Sequence, residues 1–139
     1  METEKFDWEA PEGDIYWDDI RAYKYRTTKQ YQLQIPIVGQ DIQTDYIALN
    51  VKGLLTIKKG YAWNGASGPT KDSKKSKRAS GVHDALYQLM ELKLLNYQTH
   101  RIIADWVFYR ILLADKMFKP RAWIWWRAVR RFAEFAARP

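Results

Sequence analysis

The hydrophobic period of this 139-residue chain changes partway along, and that change constrains its fold more than any other feature. In Tyr31-Gln32-Leu33-Gln34-Ile35 apolar and polar residues alternate, so an extended segment buries one face and wets the other. Pro36 has no amide hydrogen to donate, so this strand lies at a sheet edge or ends there. Tyr46–Val51 and Leu54–Lys58 read as two further strands around a turn at Asn50–Gly53, and Ile15–Tyr25 as a less regular one. Gly60, Gly65, Gly68 and Pro69, followed by lysines and serines, then make Gly60–Lys77 a loop.

Beyond the loop the period is helical. A first helix is expected from near Gly81, capped by Ser80 or a neighbour, to about Leu92. Asn96–Thr99 can cap a second, His100 to Lys116, whose apolar face comprises Ile102, Ile103, Trp106, Val107, Tyr109, Arg110 and Leu113. Lys119-Pro120 breaks it, and Pro120 can start a third helix, Arg121–Ala137. Strands followed by helices imply an α+β fold, with an antiparallel N-terminal part and about three C-terminal helices. The length suits a single domain over 1–139, β-rich in 1–60, a glycine/lysine loop in 60–78 and helical in 80–137.

The net charge of +7 is unevenly spread. Residues 1–20 are acidic, and the positive excess gathers at Lys71–Arg78 and Arg121–Arg138. Such clusters fit anionic lipid, nucleic acid or an acidic protein, a solvated basic loop being the commoner case. No nucleic-acid reader motif is present, so that partner is not expected. The chain has no cysteine, which removes disulfides and thiolate metal sites and suits a reducing cytosol. The N-terminus lacks the apolar core of a signal peptide, and no run of about 18 uncharged apolar residues could span a bilayer.

Chemistry concentrates in Val82-His83-Asp84-Ala85-Leu86-Tyr87 and in Asp105. On a helix His83 and Tyr87 share a face, and Asp84 lies about 100° around from His83. A proton acceptor, a cation-holding carboxylate and a phenol donor would then meet at one wall. The same residues, with Arg101, also suit a buried hydrogen-bond network that pins two helices together. The preceding loop, Tyr61 to Pro69, supplies Asn64, Gly65 and Ser67. Its backbone could offer oxygens to a hard cation such as calcium, with Asp84 adding charge, or simply form a self-satisfied turn. A Ser67-His83-Asp105 triad lacks the nucleophile-elbow pattern, and no HExxH or phosphate-binding glycine motif occurs.

Asn64-Gly65-Ala66-Ser67-x-Pro69, His83-Asp84-x-Leu86-Tyr87, Arg101-x-x-x-Asp105 and Ala128-Val129-Arg130 together resemble a family of small phage and prophage proteins, domain of unknown function 1353, over roughly Gly60 to Phe132. That family often has Asp at the position of Asn64. The resemblance implies a phage or prophage setting, with the protein in the host cytoplasm during production or in the virion, and a phage structural or host protein as partner. The His-Asp-x-x-Tyr helix after a glycine-rich loop is also similar to the phospholipase A2 pattern. By that similarity His83 is a general base, Asp105 fixes its tautomer and Tyr87 supports them. Asp84 and loop groups including Asn64 and Gly65 would hold calcium, leaving Ser67, Arg101 and Arg130 as binding residues.

The segment Trp123–Phe135 is rich in tryptophan and arginine, with Trp125, Ala128, Val129, Phe132 and Phe135 able to form one face. It suits closure of the domain's own core. Any aromatic surface left over suits a protein partner more than an anionic membrane.

Overall fold

The computed structural model describes residues 8–19, 25–63 and 74–132. Among them are strands β1 (Trp17–Asp19), β2 (Tyr25–Thr27), β3 (Tyr31–Gln34), β4 (Ile42–Gln43), β5 (Ile47–Leu49), β6 (Leu54–Ile57) and β7 (Ala62–Trp63), then helices α1 (Lys77–Glu91), α2 (Tyr97–Ala114) and α3 (Lys119–Phe132). The fold is α+β, as its order of elements predicts.

The strands form two antiparallel sheets, one ordered β1-β2-β7 and the other β3-β6-β5-β4. Alternation in β3 buries Tyr31 and Leu33 and leaves Gln32 and Gln34 exposed. Across the ladder Tyr31 faces Ile57 and Leu33 faces Leu55, while β5 adds Ile47 and Leu49 to the buried side. β3 lies at the sheet edge and ends two residues before Pro36. The Asn50–Gly53 turn also forms: the Asn50 side-chain oxygen accepts from the Lys52 and Leu54 amides at 3.0 and 2.9 Å. Gly53 sits at φ +90°, and a Cβ there would lie 2.6 Å from the Ile35 carbonyl, so only glycine fits without a shift.

Four expectations are corrected. Ile15–Tyr25 is not one strand: β1 turns back onto β2, with Trp17 opposite Thr27. The loop is interrupted by β7, and α1 starts at Lys77 rather than Gly81. Ser80 therefore caps nothing; its hydroxyl accepts from Trp63 Nε1 at 3.0 Å and donates to the Lys77 carbonyl, tying the helix to β7. The end of the basic run is also not solvated. Lys77 is buried, donates to Tyr25 Oη at 2.8 Å and lies over the Tyr25 and Trp17 rings. Arg78 grips Asp115 at 2.8 and 3.1 Å and donates to the Pro11 carbonyl at 2.7 Å.

In α2 the expected N-cap holds: Asn96 Oδ1 accepts from the Thr99 amide at 3.0 Å, but the helix begins at Tyr97 rather than His100. Its buried surface is broader than one stripe. Ala104 to Tyr109 are all buried, because α2 packs against both α1 and α3, whereas Ile102, Ile103 and Leu113 are half-buried. α3 begins at Lys119 and buries Ala122, Trp125, Trp126 and Ala128, so it closes the core. Phe135 and the expected helix end at Ala137 lie outside the described residues. One hydrophobic cluster joins both sheets to all three helices. At Gly81 a Cβ would approach Ile15 to 3.2 Å and the Trp63 ring to 3.4 Å, which is how closely α1 lies on the strands.

Arg78 is 3% exposed and spans the N-terminal segment, α1 and the end of α2. Arg78→Ala leaves the half-buried Asp115 without its partner. A loss of about 3 kcal/mol is expected, since removing one member of a buried ion pair strands the other. Denaturant unfolding followed by circular dichroism checks it, and an unchanged midpoint would refute it.

Candidate active site

His83 and Tyr87 are one turn apart on α1, and Arg101 and Asp105 one turn apart on α2. His83 meets Asp105, and Tyr87, farther along α1, meets Arg101, farther back on α2, so the helices run antiparallel. Asp105 is 0% exposed and is the hub. Its Oδ1 lies 2.6 Å from His83 Nε2 and accepts from the Tyr87 hydroxyl at 2.5 Å. Its Oδ2 accepts from Arg130 Nη1 on α3 at 2.8 Å, with Arg101 Nε at 3.9 Å. Arg101 also donates to Tyr87 Oη at 3.1 Å and to the Val129 and Arg130 carbonyls at 3.1 and 2.5 Å. Through these carbonyls Arg101 ties α2 to α3.

The protonation states follow. Burial alone pushes the Asp105 carboxyl up, but the bond and charge of His83, then the bonds from Tyr87 and Arg130, hold it below the usual carboxylate range. Burial pushes the Tyr87 phenol up, and the Asp105 charge pushes it further, so Tyr87 can only donate to Asp105. An ionised Asp105 accepts, so His83 Nε2 carries a proton and donates. Its other nitrogen, Nδ1, makes no hydrogen bond among the described residues. The imidazole is held between the Tyr87 ring, 4.0 Å between centroids, and the Phe108 ring, 4.9 Å. A neutral ring in this tautomer presents the Nδ1 lone pair as a proton acceptor.

His83, Tyr87, Asp105, Arg101 and Arg130 are thus brought together. Arg101 and Arg130 are engaged within the network rather than held out for a ligand. Asp84 is half-buried beside His83 on α1. Asn64, Gly65 and Ser67 lie outside the described residues. Among the described residues no group of three or more His, Asp or Glu side chains could hold a metal. His100, the other histidine, faces Asn96 O and Thr99 Oγ1, each at 3.0 Å, at the start of α2 and takes no part. Sequence reasoning missed Phe108 beneath His83. Its signal was its position: three residues after Asp105, it lies on the same helix face.

Residues 40–129 match the family described as a protein of unknown function, DUF1353. The chain belongs to that family. Its motif helix, α2 and most of α3 fall within the match, as do β4 to β7. No curated protein and no solved structure matches the chain.

The network makes stability acid-sensitive in a defined direction. The folded-state pKa of Asp105 is below its unfolded value, so its contribution is complete above about pH 4 and lost as pH falls through the folded value. Asp105→Asn should cost about 3–5 kcal/mol near neutral pH, because it leaves Arg130 without its counter-charge. The difference from the parent protein should shrink below about pH 4. Thermal melts across pH test this; a difference independent of pH would refute it.

Proposed function

We propose that this chain is a hydrolase of carboxylic esters, of a calcium-dependent phospholipase-like kind, with His83 as its general base. The observation that carries the reading is the His83 ring itself. Nε2 is anchored on a buried carboxylate, and Nδ1 makes no hydrogen bond among the described residues. In the reaction His83 Nδ1 takes a proton from water as the water oxygen bonds to the ester carbonyl carbon. The carbon–oxygen ester bond then breaks, and the leaving alkoxide takes that proton back. Asp105 stabilises the imidazolium between the two steps and keeps its orientation, with Tyr87 fixing Asp105 in turn. Asp84, with oxygens from Asn64 and Gly65, would hold the calcium ion. When bound, calcium supplies polarisation of the carbonyl. The spaced motifs that resemble the family support a phage or prophage setting for this reading.

One observation favours a second reading, a non-catalytic virion or interaction component. Arg101 and Arg130 tie the same Asp105 and Tyr87 to α3, which a purely structural lock of three helices requires. His83→Gln separates the two, because the amide can still donate to Asp105. The hydrolase reading expects a preserved melt and a drop in phospholipid ester turnover of at least about a hundredfold. It also expects millimolar calcium to raise the melting temperature of the parent protein and not of Asp84→Asn. No turnover in the parent protein, together with identical melts in calcium and in chelator, would leave the structural reading standing.

A further inference from the structure

Two basic clusters far apart in the sequence meet at one corner of the fold. Lys75, in the short 3-10 turn Lys74–Ser76, donates from Nζ to the Lys116 carbonyl at 3.2 Å, which sets that turn against the α2–α3 junction. Lys75, Lys116 and Lys119 are all exposed there. Asp115, the acid next to them in the chain, is neutralised by Arg78. From this corner α3 runs on with five cations and no acid in Lys119–Phe132. Arg130 is turned inward onto Asp105, whereas Arg121, Arg127 and Arg131 are exposed.

The outward stripe is not uniformly charged. Arg121, Ile124, Arg127 and Arg131 fall within about 120° of one another around the helix, on its outer face, and Phe118 immediately precedes the helix. Phe118 is 73% exposed and Ile124 58%, and the half-buried Trp123 stacks against Arg127 at 4.9 Å. Arginine guanidinium groups pair with phosphate oxygens in a forked geometry, whereas Phe118 and Ile124 gain only from leaving water. A surface that offers anionic phosphates and an apolar layer a few ångströms beneath them matches both the arginines and the exposed Phe118 and Ile124. Duplex nucleic acid offers only the phosphates to such a face. No helix among the described residues is long and apolar enough to cross a bilayer, so α3, about 21 Å long, would lie in the plane of the interface.

We infer that the outer face of α3 and the adjoining Lys75–Lys119 corner dock on an anionic phospholipid membrane, with Phe118 and Ile124 entering the headgroup boundary. This goes beyond the hydrolase reading and is read without turnover. The test uses the full chain and vesicles of ether-linked phospholipids, which have no ester to cleave, made of phosphatidylcholine alone or mixed with phosphatidylglycerol. Co-sedimentation should favour the anionic vesicles by on the order of a hundredfold, at roughly fivefold for each of three arginines, and should weaken steeply with salt. Arg121→Gln/Arg127→Gln should lose about 30-fold, and Arg121→Lys/Arg127→Lys should keep most of the binding. Phe118→Ser/Ile124→Ser should weaken binding and leave its salt dependence unchanged. All of these positions are exposed, so the variants should melt like the parent. If the glutamine variant melts early, the lysine and serine variants decide. Equal binding to neutral and anionic vesicles, or binding indifferent to Phe118 and Ile124, would overturn the inference. So would displacement by inorganic phosphate alone, which marks a free-phosphate site, or tighter binding to duplex DNA than to vesicles.

Discussion

A carboxylate with no access to water organises the helical half of this protein. An ionised Asp105 at that depth costs several kcal/mol in lost hydration, and only a complete shell of donors offsets it. The shell comes from three helices: His83 and Tyr87 from α1, Arg101 alongside on α2, and Arg130 from α3. No single helix can satisfy the carboxylate. Its ionisation therefore depends on the tertiary arrangement, and the arrangement depends on it. Arg101 extends the coupling by donating to the Val129 and Arg130 carbonyls, so α3 is held there by a charged donor and along its length by buried Trp125 and Trp126.

The sheets place this hub through a second set of polar bonds. Trp63 on β7 donates to Ser80 in the first turn of α1, and Lys77 reaches Tyr25 on β2. Arg78 joins the same turn to Asp115 at the end of α2. The start of α1 is thereby fixed to one sheet and to α2, and His83, under two turns further on, inherits that position. Gly81 allows the approach, since its missing side chain is where Trp63 and Ile15 lie. The strands thus act on the site indirectly, by fixing the entry of the helix that carries His83.

Much of this was legible in the sequence, for identifiable reasons. The period-two run at Tyr31–Ile35 and the proline after it gave an edge strand, because alternation and a missing amide hydrogen act locally. Asn96 gave the N-cap of α2 for the same reason. His83, Tyr87, Arg101 and Asp105 could be grouped because i,i+4 spacing on two neighbouring helices needs only that the helices pack. What could not be read was whatever depended on a distant partner. Ser80 looked like a helix cap and is a ligand for the Trp63 indole, a contact across seventeen residues. Lys77 and Arg78 looked like a solvated run, since nothing local reveals that Tyr25 and Asp115 await them. Arg130 was picked out as a binding residue, yet its partner Asp105 lies on another helix, and only packing shows that its charge is directed inward.

The same hub bears on both readings of function, and its two oxygens do different work. Oδ2 faces the guanidinium groups of Arg130 and Arg101. Arg130 adds to the hold on the ionised carboxylate, which the bond and charge of His83 exert most strongly. Oδ1 faces His83 and Tyr87, and the phenol stays protonated. Of the groups around Asp105, the imidazole is the one with a second nitrogen that can accept a proton. A lock built only for rigidity has no need of such a group, for a second arginine or an amide would donate as well. A site that moves one proton needs one titratable nitrogen tied to a fixed anion and a second nitrogen turned away from it. His83 meets that requirement with Nε2 on Asp105 and with Nδ1 outside every hydrogen bond among the described residues. On this ground the proton-transfer reading accounts for the identity of residue 83, which the rigid-lock reading leaves unexplained.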